Sequence, residues 1–483
     1  MRTILEIEVQ PCWREHRVEG RAVLPGVEAM ALLSETAQPA DGPAAMADIS
    51  FPSFLEIADG KAALEVIIET GPQTNGSLPA RLLTRKVSKG GISREREHCR
   101  VTFVSTSETA ALPFDLAAVP EGICSRISSD RLYSDYVPMG SAYRNAGDVH
   151  ISPDGAVAVV KAPAIQAELG GLGSPFPLDA AMHCACAWGQ IFAGIIAYPV
   201  AFEKRVVPRP TLPGSEYFCR VSPLGENRGG VSFDIRIYDA RGNLCDAVFG
   251  MLMKPIAGAE RPACRAGNPG PGLFDALRAD CRAFSVIELG AVLPFSLKAL
   301  TAAEMGLSRG FGPKRLQSFS AGRLAFKRVW RRVAQDYERA ADAIPDFTTD
   351  GLPGDGGEIF YSISHDKRFA FAAAGKTRTG ADVENISDRV AKNRRIFLND
   401  GDNTAMDSPS GLDQLQKLLR VWSAKEALSK ATGNNVAELW EKMSATVIGN
   451  KRTALRFEGR SYSVVHGQAE GHLFTVTAAD QEY

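Results

Sequence analysis

Apolar residues gather along the first half of the chain in a pattern that occurs twice, each time as one long apolar helix accompanied by strand-like runs. The first helix opens at Pro25, a residue favoured in a first helical turn, and continues as GVEAMALLSETA. Strand-like runs follow at ALEVIIE (63–69), ARLLTRKVS and HCRVTFV, with turn signals at Asn75-Gly76 and Gly90-Gly91. The second helix, LDAAMHCACAWGQIFAGII, is preceded by the strand-turn-strand pattern of DVHISPDGAVAVVKAP and followed by EYFCRV, GVSFDIRIYD and NLCDAVFGMLM. A helix that is apolar all round must be covered all round. One buried helix inside a curled antiparallel sheet, made twice, is therefore the implied α+β architecture. In the last two hundred residues basic amphipathic helices alternate with strands such as EIFYSISH and FAFAAAG, which predicts a second α+β unit.

Cys184–Phe202 runs for 19 residues without a formal charge, near the length that spans a bilayer. Gly189, Gln190, Gly194 and Pro199 interrupt it, so burial within the protein's own sheet is the better expectation and no membrane span is assigned. Between the two units, Pro255–Gly272 is rich in Pro, Gly and Ala and reads as a linker. At about 150 residues per domain, 483 residues suggest about three domains. With 45% hydrophobic and 23% charged residues, disorder and coiled coil are poor fits. Lys plus Arg number 55 against 56 Asp plus Glu, which removes any bulk-charge argument for nucleic acid or an anionic membrane. Nine cysteines without a C-x-x-C pair support neither a disulfide scaffold nor a zinc ribbon, and a reducing cytoplasm is the expected setting. No signal peptide is evident at the N-terminus.

Two constellations carry chemistry. His16 lies in HRVEGRAVLP, just before the first helix, and Asp179 and His183 are four apart at the head of the second. Spacing H-x-x-x-G-x-x-x-x-P at His16, Gly20 and Pro25, with D-x-x-x-H at Asp179 and His183, resembles the dehydratase domains of polyketide and polyunsaturated fatty-acid synthases. That resemblance covers roughly residues 1–255 and implies a double hot-dog fold with halves near 1–125 and 126–255. Removing water from a β-hydroxyacyl thioester needs a base for the C2 proton and an acid for the departing hydroxyl. A near-neutral histidine suits the first task and a carboxylic acid kept protonated by apolar surroundings the second. His16 is the expected base, Asp179 the acid, and His183, one helical turn on, its orienting partner. The helix N-terminus favours the carboxylate form of Asp179 while a dry tunnel opposes it. His98 and His150 receive no role.

The C-terminal third holds, in order, AGRLAFKRVWRR (321–332), YSISHD (361–366), GADVE (380–384) and WSAKEALSK (422–430). These blocks resemble those of the Sfp-type 4′-phosphopantetheinyl transferases over roughly residues 284–483, after a linker at 256–283, and imply a two-lobed α+β domain. Asp382 and Glu384 project from one face of a strand, and with Glu426 they form an oxygen-rich set of the kind Mg²⁺ prefers. The resemblance implies that Asp382, Glu384 and Glu426 hold Mg²⁺ at the diphosphate of coenzyme A. It also implies that Arg323 binds the 3′-phosphate and that Ser364 and His365 contact phosphates. Lys430 shares the helical face of Glu426 and is expected to reach the same phosphate. Lys425 and the cations Lys314 and Arg315 are further expected contacts, and Glu426 is the expected base. Met305–Gln335 contains eight basic residues and no acidic one, with Arg323, Lys327 and Arg331 along one helical stripe suited to an acidic carrier protein. Asp366 stands where the resembled family commonly has a small Ser or Thr.

Together these features imply a fused dehydratase and phosphopantetheinyl transferase, like the terminal domains of enediyne-type polyketide synthases. Both halves would serve an acyl carrier protein, in its apo form and its β-hydroxyacyl-loaded form, with coenzyme A as substrate and Mg²⁺ as cofactor. No nucleic-acid partner is expected, and a homodimer is compatible with the fold. A hot-dog thioesterase and a non-catalytic docking or dimerising module are the alternatives for the first half.

Overall fold

Strands whose every second or third residue is apolar need a surface to cover, and each half of the N-terminal region supplies one helix for the purpose. The computed structural model describes residues 1–37, 45–87, 93–104, 116–165, 170–227, 229–256, 274–280, 283–344, 352–354 and 357–478. It divides into one unit of 1–114 with 124–266 and another of 115–123 with 267–483. Residues 116–123, which the sequence reading places in the first hot-dog half, thus pack in the second unit. The linker expected at 256–283 lies for the most part outside the described residues.

Beside a separate two-stranded hairpin of Arg17–Val18 and Arg21–Ala22, twelve strands of the first unit form one antiparallel sheet. Its strands are β1 (Arg2–Glu8), β2 (Ala45–Ser50), β3 (Ala63–Thr70), β4 (Ser77–Val87), β5 (Ser93–Val104), β6 (Ser125–Ile127), β7 (Ala146–Ser152), β8 (Gly155–Lys161), β9 (Ala197–Val206), β10 (Glu216–Asn227), β11 (Gly230–Tyr238) and β12 (Leu244–Pro255). Their order is β1-β3-β4-β5-β2-β9-β12-β11-β10-β8-β7-β6. The two halves join where β2 pairs with β9, Phe202 opposite Ile49. Asn75 and Gly76, both at positive φ (51° and 74°), make the tight β3–β4 turn that their sequence signals; Gly90-Gly91 lies outside the described residues. Helix α1 (Gly26–Ala37) buries Val27, Met30 and Leu33 against the first half. Helix α2 (Phe176–Trp188) is buried at all but Cys186 and Trp188, so it is wrapped on nearly every side. This is a double hot-dog.

The apolar stretch from Cys184 is shorter as a helix than its pattern suggests. After Trp188 it becomes a wide turn over Gly189–Ala193, Gly194 closes it at φ 63°, and Ala197 already begins β9. Among the described residues no helix is long and apolar enough to cross a membrane.

The second unit holds two sheets. Strands β13 (Ala283–Glu288), β14 (Leu352–Gly354), β15 (Gly357–His365) and β16 (Phe369–Gly375) run in the order β13-β16-β15-β14. Strands β17 (Ala381–Asn385), β18 (Ser444–Ile448), β19 (Arg452–Phe457), β20 (Arg460–Ala469) and β21 (His472–Thr477) run in the order β17-β21-β20-β19-β18. Helix α3 (Pro313–Ala334) lays Leu324, Ala325, Phe326 and Val329 on the first sheet. Helix α4 (Gln414–Thr432) opens on a capping box of Asp413 and Gln416, ends at the left-handed Gly433, and lies on β17 and β21. A Cβ on Gly380 would sit 1.8 Å from the Ala427 carbonyl, so only glycine lets β17 approach α4 this closely.

Candidate active sites

In the first unit, His16 follows a 3-10 turn (Pro11–Glu15), and a short hairpin of Arg17–Val18 with Arg21–Ala22 separates it from α1. Its Nδ1 lies 3.3 Å from the Val23 carbonyl. Assigned as Nδ1–H donating there, the ring leaves Nε2 bare and 3.7 Å from Asp179 Oδ1. Asp179, in the first turn of α2, is 3% exposed, and its Oδ2 is buried without a hydrogen bond. Burial, reinforced by the charge of Glu28, pushes the Asp179 carboxyl up to about 8. Desolvation therefore outweighs the helix N-terminus, and the group stays a protonated acid at neutral pH. Burial pushes His16 down to about 4, so the facing imidazole is neutral.

His183 Nε2 lies 3.2 Å from Asp179 Oδ2, close enough to restrain it but not aligned as a hydrogen bond. The Tyr133 hydroxyl accepts from the Ala146 amide at 2.8 Å and lies 3.4 Å from His183 Nδ1. His16, Asp179 and His183 border a cavity of about 590 Å³ whose wall is otherwise mainly apolar, with Phe51, Leu55, Met182 and Pro199 among its residues. The space is of ordinary size for a small-molecule site. His98 also faces it, but its nitrogens are occupied by Ser53 and Thr84. Glu28 and Tyr133 escape sequence reasoning. For Glu28 a signal exists, since it stands in the first turn of α1 much as Asp179 does in α2; for Tyr133 none does.

In the second unit, β17 presents Asp382 and Glu384 toward α4, which presents Glu426. One oxygen from each lies within 4.8 Å of the others. Asp382 is buried and accepts at Oδ1 from Ser364 Oγ (3.0 Å) and Lys430 Nζ (3.0 Å), and at Oδ2 from Ser423 Oγ (2.8 Å). Trp422 Nε1 donates to Glu384 Oε1 at 3.1 Å. Burial, then repulsion from Asp382, lifts both Glu384 and Glu426, the latter to about 8. Lys430 also donates to the Ala381 carbonyl and to Ser364 Oγ, so its three N–H bonds are all committed within the cluster. It acts there as a fixed charge rather than a free arm. His365 lies beside Ser364, its basicity lowered by partial desolvation and by the charge of Lys430.

Several expected ligand contacts take other roles. Lys425 is fully buried and donates to Asp402, the Phe397 carbonyl and the Trp440 carbonyl, so it is a structural ion pair and not a coenzyme A contact. The basic stripe of α3 is mostly spent internally. Lys327 is fully buried against Glu304 (2.7 Å), a residue one position outside the stretch that reads as purely basic. Arg328 donates to the Leu116 and Val119 carbonyls, Arg331 to that of Arg339, and Arg332 to Glu121. Arg323 lies 3.2 Å from Glu304 with its guanidinium over Phe319, on a helix that meets Ile363 of β15 at Gly322. Lys314 and Arg315 are exposed, the latter 4.0 Å over the Phe311 ring. Asp366 accepts from the Arg368 and Phe369 amides and pairs with His472 at 2.8 Å, which explains a carboxylate in that turn. Ser423, one turn before Glu426, donates to Asp382 and is the residue that helical spacing alone could have revealed.

Solved structures similar in their coordinates to this chain include the dehydratase domain of a mycocerosic acid synthase-like polyketide synthase (20% identity, 52% of this chain and 90% of that one, TM-score 0.41). Others are that of RzxB from Pseudomonas fluorescens (18%, 53% and 94%, 0.42) and that of the CurJ module of the curacin polyketide synthase (18%, 53% and 92%, 0.45). No curated protein matches the sequence. Residues 378–477, which carry Asp382, Glu384, Ser423, Glu426 and Lys430, match the model of the 4′-phosphopantetheinyl transferase superfamily.

Proposed function

We propose that the chain is a bifunctional protein of polyketide or fatty-acid assembly, acting in the cytoplasm. Its C-terminal unit transfers 4′-phosphopantetheine from coenzyme A to a serine of an acyl carrier protein. Its N-terminal unit removes water from a β-hydroxyacyl group carried on the arm so installed.

The transferase reading rests on the meeting of Asp382, Glu384 and Glu426 beside Lys430 and Ser364. Three oxygen donors, two of them lifted by burial and mutual repulsion, suit a hard divalent cation such as Mg²⁺. Bound there, Mg²⁺ supplies charge neutralisation for a diphosphate. Ser364 and His365 orient the phosphate oxygens, Lys314, Arg315 and Arg323 offer charge to the 3′-phosphate, and Lys430 contributes a fixed positive field. The carrier serine oxygen attacks the β-phosphorus, its proton passes to Glu426 directly or through water, and the bond to the departing 3′,5′-ADP breaks. Apo carrier protein incubated with coenzyme A, Mg²⁺ and this chain should gain one phosphopantetheine mass. Full activity in Glu384→Ala overturns the metal assignment.

The dehydratase reading rests on His16 Nε2 lying 3.7 Å from Asp179 Oδ1 in the cavity wall. Neutral His16 takes the C2 proton, protonated Asp179 gives its proton to the β-hydroxyl, the C3–O bond breaks, and water leaves as the C2–C3 double bond forms. His16, at about 4, then returns its proton downhill to Asp179, at about 8, which resets both groups. A 3-hydroxyacyl carrier substrate should lose the mass of water. Release of free acid instead supports a thioesterase, and an unchanged substrate supports a docking module.

A further inference from the structure

Behind the carboxylate cluster a line of buried hydrogen bonds crosses the second sheet of the C-terminal unit. It starts at Asp382 Oδ2, 2.8 Å from Ser423 Oγ, and passes to Thr475 Oγ1 at 2.8 Å. From Thr475 it reaches His466 Nδ1 at 2.9 Å, and His466 Nε2 lies 2.8 Å from Thr453 Oγ1. Asp382, Thr475, His466 and Thr453 stand on the successive strands β17, β21, β20 and β19, with Thr475 in register with both Asp382 and His466. Ser423 enters from α4. All five are buried, from 0% exposure at Ser423, Thr453 and Thr475 to 3% at His466.

Donor arithmetic leaves one arrangement for a neutral imidazole. The carboxylate can only accept, so the single Ser423 proton goes to Asp382, and the Ser423–Thr475 contact is donated by Thr475. Thr475 then has no proton left for His466, so His466 must carry hydrogen on Nδ1, and Nε2 accepts from the Thr453 hydroxyl. The opposite tautomer would set two lone pairs facing each other at 2.8 Å between Ser423 and Thr475. Burial, with Arg420 nearby, depresses His466 to about 3, so the doubly protonated ring is not the form present near neutral pH. Every O–H and N–H in the line therefore points toward Asp382, and such chains polarise one another in the same sense.

We infer that Thr453, His466, Thr475 and Ser423 form a one-way relay that holds Asp382 as an oriented carboxylate for the divalent cation, with His466 as its central positioning residue. The inference rests on the metal reading above. Partners behind a ligand commonly change metal affinity 10–100-fold when removed.

Two measurements on the full chain test it. In protein labelled with ¹⁵N-histidine and free of divalent metal, His466 should show the Nδ1–H tautomer unchanged from pH 5 to 8; an Nε2–H signal or a titration in that range overturns the relay. Titration with Mn²⁺ without coenzyme A should show affinity about tenfold weaker in His466→Phe. Thr453→Val, which keeps the side-chain shape but removes the distal donor, should weaken binding in the same direction. His466→Asn, whose amide still donates toward Thr475, should stay closer to wild type than His466→Phe. Unchanged affinity in both His466→Phe and Thr453→Val overturns the inference. Absence of Mn²⁺ uptake by the wild-type chain overturns the metal centre itself, a failure separate from that of the relay because the tautomer is read without metal.

Discussion

Asp179→Asn tests the dehydratase site through folding as well as catalysis. The native carboxyl keeps its proton up to about 8, whereas the unfolded chain releases it at the ordinary value of 3.8. Between those values the native state binds the extra proton, so this group's contribution to stability is full below the unfolded value and is lost as pH rises toward the folded one. Each pH step in the window removes about 1.4 kcal/mol, so from pH 4 to pH 7 the loss is on the order of 4 kcal/mol. His16 and His183, held neutral by burial, tilt the profile the other way below their ordinary value of 6.5. Wild type and variant both retain them, so they largely cancel in the difference. Melting curves of the two proteins at half-unit steps from pH 4 to 9 should give profiles whose difference grows steadily in favour of the Asp179→Asn variant and levels off near pH 8. Turnover should vanish in the variant, and in the wild type kcat/KM should fall above about 8 and below about 4. Parallel melting profiles refute the protonated acid, and a wild-type rate that climbs through pH 9 refutes its role as proton donor.

Glu28→Gln removes the charge that helps lift Asp179, so the alkaline limb of the same rate profile should move to lower pH; an unmoved limb assigns the lift to burial alone. Lys425→Met strands the fully buried Asp402 and should cost about 3–5 kcal/mol by calorimetry, while the KM for coenzyme A of the folded fraction stays at the wild-type value; a raised KM with an unchanged melt would restore Lys425 as a ligand contact. Glu384→Ala should abolish carrier modification and lower Mn²⁺ affinity in a direct titration, with dehydration of a 3-hydroxyacyl carrier unchanged.

Sequence by itself determined whatever depends on local order. Periodicity marked two enclosed helices and their strands because an apolar surface must be covered wherever it occurs, and Asn75-Gly76 announced its turn because both positions need positive φ. Spacing placed Asp179 with His183 and Glu426 with Lys430, since four residues make one helical turn. Three things awaited the tertiary structure. Whether a charge faces a ligand or a partner depends on residues distant in the chain, so Lys425 read as a ligand contact and Lys327 as part of a carrier-facing stripe until Asp402 and Glu304 met them. The protonation of Asp179 depended on burial and on Glu28, a residue far away in the chain, because desolvation is a property of the surroundings and not of the motif. The line from Asp382 to Thr453 exists only because β17, β21, β20 and β19 lie side by side, a pairing order that no spacing along the chain encodes.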